Sequence, residues 1–407
     1  MRKQVRHITP ILVSDNGRYF VRPGGEPFFW LGDTQWELFR LFSLEQARQI
    51  LDSRTGPGFT CLQIMLVGVD PLENIEGQRP WLGDDPRKPN EKYFAHVDRV
   101  VDLCRTHEDM VLVVGVYHTV RMKGLVHTGN ARPWARWVAD RYGGVPGMVW
   151  SMYPRAVQED VPVCRELARG LQEGDGGRHL ITAHPDPSPA SSSSILHAEP
   201  WLAFNSIQTH RHMDLVHAMV TEDYRRQPPK PVVMAEGVYE GSTGHGFEVT
   251  PLRLRRQAYY SYLDGGHHSY GHDGFWRVGY PWQQALDPPG ARQMGILKEV
   301  FLCRHQWWRL VPDQELLAAG GRTDGQELTL AARHPEGRWA IVYTGSPSRF
   351  SVAMGRIGAP GGCEAFWVDP RSGQASQRTR CVSSGPQTFS TPDGWEDGLL
   401  VLEAIQQ

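Results

Sequence analysis

The sequence predicts an α/β fold, a (β/α)8 TIM barrel, followed by a C-terminal antiparallel β-sandwich. Three observations predict it. Short apolar runs alternate with amphipathic or loop segments eight times between residues 28 and 304, which is the count of a (β/α)8 barrel. Polar and ionisable residues collect at or just past the C-terminal ends of those runs, the face on which barrels carry their active sites. From about Pro312 the helical periodicity stops and short strands separated by turn signals take over.

Phe28 to Asp33 reads as the first strand. Ser43-Leu-Glu-Gln46 is a capping-box pattern that opens a helix through about Ser53, and Gly56-Pro-Gly58 ends it. Cys61 to Val67 is the second strand, and the polar stretch from Asp70 to Asn90 is long enough for an active-site loop. Phe94, Val97, Val100, Val101 and Cys104 mark one face of a helix over 93–107. A third strand follows over 110–116, a helix over 134–142, a fourth strand over 148–152 and a helix over 161–172. His179 to Ala183 is the fifth strand, followed by a Pro/Ser-rich loop. The sixth strand spans 202–208, a helix 215–224, the seventh strand 232–235, a helix 252–263, the eighth strand 266–270 and a helix 291–304. Beyond it, 328–332, 339–343, 350–354, 364–368 and 398–403 read as strands of a small sandwich. The expected division is 1–311 for the barrel and 312–407 for the sandwich.

Composition excludes several functions. Apolar content of 40% and charged content of 22% describe an ordinary globular chain. A net charge of −2 provides no field for nucleic acid or an anionic membrane surface. No run of about 18 apolar residues is present to span a bilayer. The first residues lack a secretory h-region, so a cytoplasmic location is expected, or secretion if a leader was removed. The six cysteines form no C-x-x-C pair; Cys363 and Cys381 would be the pair to join in an oxidising compartment. No nucleotide-binding glycine motif follows a strand, and no cofactor is expected. Fourteen tryptophans suit both core packing and an aromatic-lined sugar cleft.

The segment Pro231 to Gly241 carries the sharpest functional signal. Val232 to Ala235 form a short buried run, and Glu236 sits where it leaves the core. A buried carboxylate without a partner is costly, so Glu236 is either catalytic or paired, to Arg155 or to a neighbouring Tyr. Asp33, Asp70, His118, His184, Gln208, His210, Tyr239, Tyr270 and His272 occupy equivalent strand-end positions. His184, Gln208 and His210 are candidates for bonding sugar hydroxyls, and Trp36, Trp201, Tyr239, Tyr270 and Trp276 for stacking on a sugar ring. His210-x-His212 is a weak metal-ligand pattern, and no metal site is assigned. Ser191 to Ser194 with His184 and Asp186 lack a G-x-S-x-G elbow, so a serine triad is set aside.

Phe29-Trp-Leu-Gly-Asp-Thr-Gln-Trp36, Pro228 to Glu240, Gly266-x-x-x-Tyr-Gly-His272 and Trp307-Trp-x-Leu-Val-Pro312 together resemble the apiosidase-like glycoside hydrolases, the DUF4038 group related to glycoside hydrolase family 140. The tail, with Trp367-x-Asp-Pro-Arg-x-Gly373, resembles the collagen-binding-type β-sandwich that follows the barrel in that group. The resemblance implies a retaining hydrolase that releases a terminal sugar, a pentofuranose such as apiose, from a glycan or glycoside. It implies Glu236 as nucleophile and an acid/base Asp in a Trp-x-x-Gly-Gly-Asp pattern at the end of the fourth strand. This chain has Trp150-Ser-Met-Tyr-Pro-Arg155 there, and an arginine cannot serve as a general acid.

Glu159 or Asp160, shortly after the fourth strand, is therefore the expected proton donor, although Asp160 is also placed to cap the following helix. Asp70 and Asp33 are alternative acids, Asp33 being better suited to a substrate hydroxyl or a cap. Arg155 could grip a substrate carboxylate with its planar fork. The rival to a hydrolase is a catalytically altered or inactive carbohydrate-binding barrel. The expected partner is a carbohydrate, not nucleic acid or membrane. The sandwich is expected to pack on the barrel or to serve in homo-oligomer formation.

Overall fold

The computed structural model describes residues 10–67, 72–107, 110–122, 124–276, 281–358, 362–382 and 384–405. Eight parallel strands close into a barrel: β1 Leu31–Thr34, β2 Cys61–Met65, β3 Val111–His118, β4 Met148–Tyr153, β5 Leu180–Ala183, β6 Leu202–Gln208, β7 Val232–Glu236 and β8 His267–Gly271. Each pairs with its neighbour in sequence, and β8 pairs with β1 to complete the ring. The surrounding helices are α1 Leu44–Thr55, α2 Glu91–Cys104, α3 Ala131–Tyr142, α4 Val161–Asp175, the single turn α5 Ser193–Leu196, α6 Val216–Arg225, α7 Pro251–Leu263 and α8 Pro289–Leu302. The capping box forms: Ser43 Oγ accepts from the Gln46 N–H, and Gln46 Oε1 from the Ser43 N–H. The serine tract between β5 and β6 is structural, with Ser191 and Ser193 both bonded to Asp223.

Alternation along each strand sorts the side chains. Val111, Val113, Val149, Phe204, Val233 and Ala235 point into the barrel, whereas Leu31, Leu112, Val114, Trp150, Val232 and Met234 point to the helices. The inward set is plugged at the N-terminal end of the barrel by an element the sequence pattern did not announce. Residues 12–13, 20–21 and 27–28 form a small antiparallel sheet. It delivers Phe20 to within 5.0 Å of the Trp30 ring and 5.1 Å of Phe204, ring centre to ring centre. Its strands are two residues long, too short for periodicity to register.

Two antiparallel sheets follow the barrel. One has the order Val311–Pro312 (β9), Thr329–Arg333 (β11), Trp339–Thr344 (β12), Gly398–Ala404 (β17), Cys363–Val368 (β14) and Thr379–Cys381 (β15); the other consists of Leu317–Gly320 (β10), Arg349–Ala353 (β13) and Pro386–Ser390 (β16). They form a sandwich. Cys363 and Cys381 stand directly opposite each other on β14 and β15 as free thiols. The sandwich packs on α7 and α8 through a shared apolar cluster. The buried Arg255 side chain makes two bonds of 2.8 Å to Asp397, which also accepts from the Tyr343 hydroxyl. Leaving either charge of that pair alone in the interface would be costly.

Candidate active site

At the C-terminal mouth of the barrel lies a cavity of about 380 Å3, a size that suits a small ligand. Its walls include Trp36, His118, Arg121, Tyr153, Asp186, Gln208, His210, Glu236, Tyr239, His245, Asp273 and Trp276. None of its lining residues comes from the C-terminal sheets or from the described part of the 70–90 loop.

Two irregularities in the strands aim the key side chains. Strict alternation would put Ala235 inside and Glu236 outside. Between Ile207 and Gln208 the β6–β7 register slips, so that Gln208 pairs with Glu236 and Ala235 is the extra residue. A bulge of this kind turns the residue after it to the opposite face, and Glu236 points into the mouth. The β3–β4 register slips in the same way past Gly115, with Val116 as the extra residue, and His118 turns inward opposite Tyr153.

Glu236 is 12% exposed, and its Oε2 lies 3.2 Å from His184 Nε2. Burial pushes its carboxyl up, but the His184 and His210 rings and the Tyr239 hydroxyl outweigh that and leave it below the usual value. It is therefore an ionised carboxylate at neutral pH. His184 lies against Tyr153, ring centres 4.6 Å apart, and His118 stacks on Tyr153 at 5.6 Å. Trp36 meets Tyr153 and His184 edge-on and donates its indole N–H to the Tyr239 hydroxyl at 2.6 Å. Burial and the Glu236 charge push the Tyr153 and Tyr239 phenols well up, so both stay neutral. Burial, with Arg121 and His184 nearby, brings His118 down to about 4. Gln208 is 7% exposed, and its Oε1 has no bond partner among the described residues, which leaves an acceptor for a substrate hydroxyl. His210 holds a left-handed backbone, φ 48°, unusual for a residue with a Cβ and concentrated at functional sites.

Glycine is required at two places in this mouth. A Cβ on Gly115 would lie 2.4 Å from Met65 Sδ and 2.8 Å from the Tyr153 ring, and one on Gly271 would lie 2.5 Å from the Tyr239 ring.

Of the strand-end residues singled out in the sequence, the cavity gathers Trp36, His118, His184 (behind Glu236), Gln208, His210, Glu236 and Tyr239. Others go elsewhere. Asp33 is fully buried on the outer face of β1, where it accepts from Gln35 Nε2 at 2.6 Å and faces Arg54 at 3.5 Å. Burial raises it to about 6. Tyr270 is also on an outer face and donates to Glu240 at 2.6 Å. His272 caps the turn over 273–275, accepting from the Gly274 N–H. Asp70 lies outside the described residues. His212 and Trp201 do not line the cavity, Trp201 being part of the core beneath the helices. Among the described residues, no group of three or more His, Cys, Asp or Glu could hold a metal ion.

The region after β4 requires a correction. Glu159 and Asp160 do not line the cavity, and neither does Arg155. Asp160 accepts from Arg155 Nη2 at 2.6 Å, from the Arg155 backbone N–H at 2.8 Å and from Thr119 Oγ1 at 2.7 Å. Burial opposes its charge, but these bonds hold its carboxyl below the usual range, so it is a poor proton donor near neutral pH. With Arg155 satisfied by Asp160, its fork is not presented to a ligand in the cavity. Arg121, Tyr153, Asp186, His245 and Asp273 are among the wall residues that the sequence analysis did not assign to a site. For Asp186 the sequence does carry a signal, since it stands just past β5.

Comparisons with known proteins agree with this architecture. Residues 14–309 match the family model described as "Apiosidase-like, catalytic domain", and residues 311–403 match "Putative collagen-binding domain of a collagenase". No curated protein matches. Among solved structures, a chain titled "Glycoside hydrolase" aligns with a TM-score of 0.86 at 23% identity, over 97% of both chains. A glycoside hydrolase family 5 structure from Bacteroides vulgatus aligns with a TM-score of 0.86 at 25% identity, over 97% of this chain and 93% of that one. A family 27 β-L-arabinopyranosidase from Geobacillus stearothermophilus shares the fold at a TM-score of 0.54 and 10% identity, over 93% and 97% of the two chains. The chain belongs to the apiosidase-like family, a barrel of glycoside hydrolase type joined to a collagen-binding-like sandwich.

Proposed function

We propose that this protein is a retaining glycoside hydrolase that releases a terminal sugar, with Glu236 as its nucleophile. The observation that supports this most is the setting of Glu236. It is ionised in spite of burial, backed by His184 at 3.2 Å, and set at the end of a cavity with the volume of a small ligand. An ionised carboxylate can attack an anomeric carbon and form a glycosyl ester, which water then hydrolyses. Trp36, Tyr239 and Trp276 offer apolar faces to a sugar ring, and Gln208 offers an acceptor to a hydroxyl. The family description favours a pentofuranose of the apiose type.

A second reading, a carbohydrate-binding barrel without catalysis, is favoured by one observation: Arg155 stands at the position where the resemblance implies an acid. A panel of aryl apio-, arabino- and galactofuranosides and of xylo-, galacto- and glucopyranosides, assayed with wild type and Glu236→Ala, tests both. Turnover by wild type that vanishes in the variant supports the hydrolase. Binding of the free sugars without turnover by either supports the second reading.

A further inference from the structure

Arg155 stands where the resemblance implies an acid at the end of the fourth strand, and the neighbouring strand carries a carboxylate close by. In a parallel sheet, the residue that follows β5 lies beside the one that follows β4. The His184 N–H bonds to the Met152 carbonyl at 2.7 Å, and two residues on, the Asp186 N–H bonds to the Pro154 carbonyl at 2.9 Å. Asp186 thus sits against the residue that precedes Arg155. Asp186 lines the Glu236 cavity, while Arg155 lies outside it, paired with Asp160.

We propose that Asp186, on the strand adjacent to the one that ends at Arg155, is the proton donor of this site. The proposal rests on the hydrolase reading above. Among the described residues, three carboxylates line the cavity: Glu236, Asp186 and Asp273. Asp273 is 2% exposed and accepts the Trp276 indole N–H at 2.8 Å, an arrangement that fixes a wall. Asp186 is half-buried, so a leaving group directed to solvent can reach it. Burial, and then the negative charge of Glu236, hold its carboxyl above the usual value against the pull of His184, Arg121 and His210. Opposed pKa values in one site are the signature of an acid and a nucleophile.

In the first step the Asp186 O–H proton passes to the glycosidic oxygen. The C1–O bond breaks, its electron pair stays with the departing alcohol, and a Glu236 oxygen bonds to C1. In the second step the Asp186 carboxylate takes a proton from water, the water oxygen bonds to C1, and the Glu236 ester opens. Asp186 and Glu236 end as they began, so no further reactant is needed.

The test uses the full chain and the sugar that wild type turns over in the panel above, as its 2,4-dinitrophenyl and 4-methylumbelliferyl glycosides. Asp186→Asn and Asp186→Ala should lose about 10²–10⁴-fold in kcat/KM on the methylumbelliferyl glycoside. They should lose far less on the dinitrophenyl glycoside, whose leaving group needs no proton. Added azide should speed turnover of the dinitrophenyl substrate by Asp186→Ala and yield a glycosyl azide of retained configuration. Equal losses on the two substrates, no loss on either, or a leaving-group dependence in Asp273→Asn instead of Asp186→Asn would overturn the proposal while leaving Glu236 as nucleophile. Thermal melting in the wild-type range identifies the variants as folded. No turnover of either substrate by wild type overturns the hydrolase reading itself and the proposal with it.

Discussion

The two ends of the barrel use the same eight strands for opposite purposes. At the N-terminal end, Phe20, Trp30, Phe204 and His267 close into an aromatic plug whose ring centres are 5.0 to 5.3 Å apart. The strand registers nearby are regular, apart from a slip between β5 and β6 at Leu202. At the C-terminal end the strands carry the bulges at Val116 and Ala235, a left-handed His210, and ionisable groups of opposed tendency around an open cavity. Regular alternation fills a core, whereas local irregularity turns polar groups inward that alternation would send to the helices. One end is built for stability, and the other holds the candidate site.

Mutations at the two ends should separate these roles. The largest effect is expected at the mouth: Glu236→Ala should lower kcat/KM by about 10⁴-fold or more, roughly 5 kcal/mol of barrier, with little change in Tm. Activity within tenfold of wild type would remove Glu236 from the chemistry. Next comes the plug. Phe20→Ala removes a fully buried ring and should cost about 3–5 kcal/mol in chemical denaturation. The kcat of the remaining folded enzyme should be unchanged, and a drop in kcat without loss of stability would break the division between the ends.

A smaller effect depends on pH. Burial brings His267, in the plug, from 6.5 down to about 4. Between those values the unfolded chain binds a proton that the folded chain does not, so stability falls as pH drops from about 6.5 towards 4. At pH 5 this histidine should cost about 2 kcal/mol relative to neutral pH. The difference in unfolding free energy between wild type and His267→Leu, followed from pH 7.5 to 5, isolates it from the buried carboxylates, and a flat difference would refute it. The smallest effect belongs to Arg155→Ala. The Arg155 side chain is 47% exposed, but its partner Asp160 is buried; because Asp160 keeps its bonds to Thr119 and to a backbone N–H, the loss should cost about 1 kcal/mol and leave kcat/KM within a few-fold of wild type. A large loss of activity would bring Arg155 back into the site.

Much of this was legible before folding was considered. Short apolar runs placed the barrel strands, which are buried on both faces, and the 3.6-residue period with its capping signals placed nearly all the helices within a few residues. The end of β7 marked Glu236, since an acid closing an apolar strand is rarely idle. The same strand-end logic was weaker for Asp33, Tyr270 and His272. These residues end strands too, but the parity of their positions sends Asp33 and Tyr270 to the outer face, where they meet Arg54 and Glu240, while His272 turns to cap a loop.

The sequence by itself determined the order of elements, the change of fold class near Pro312 and the strand on which the nucleophile candidate lies, because those depend on local periodicity and composition. Only the tertiary structure brought Asp186 into the wall of the Glu236 cavity. Arg155 and Asp160 are close in sequence and pair with each other outside the cavity, while Asp186 reaches its wall through a ladder between adjacent strands. The inward turn of Glu236 itself depends on a one-residue slip between β6 and β7, and the pairing of two strands is a property that neither strand carries alone.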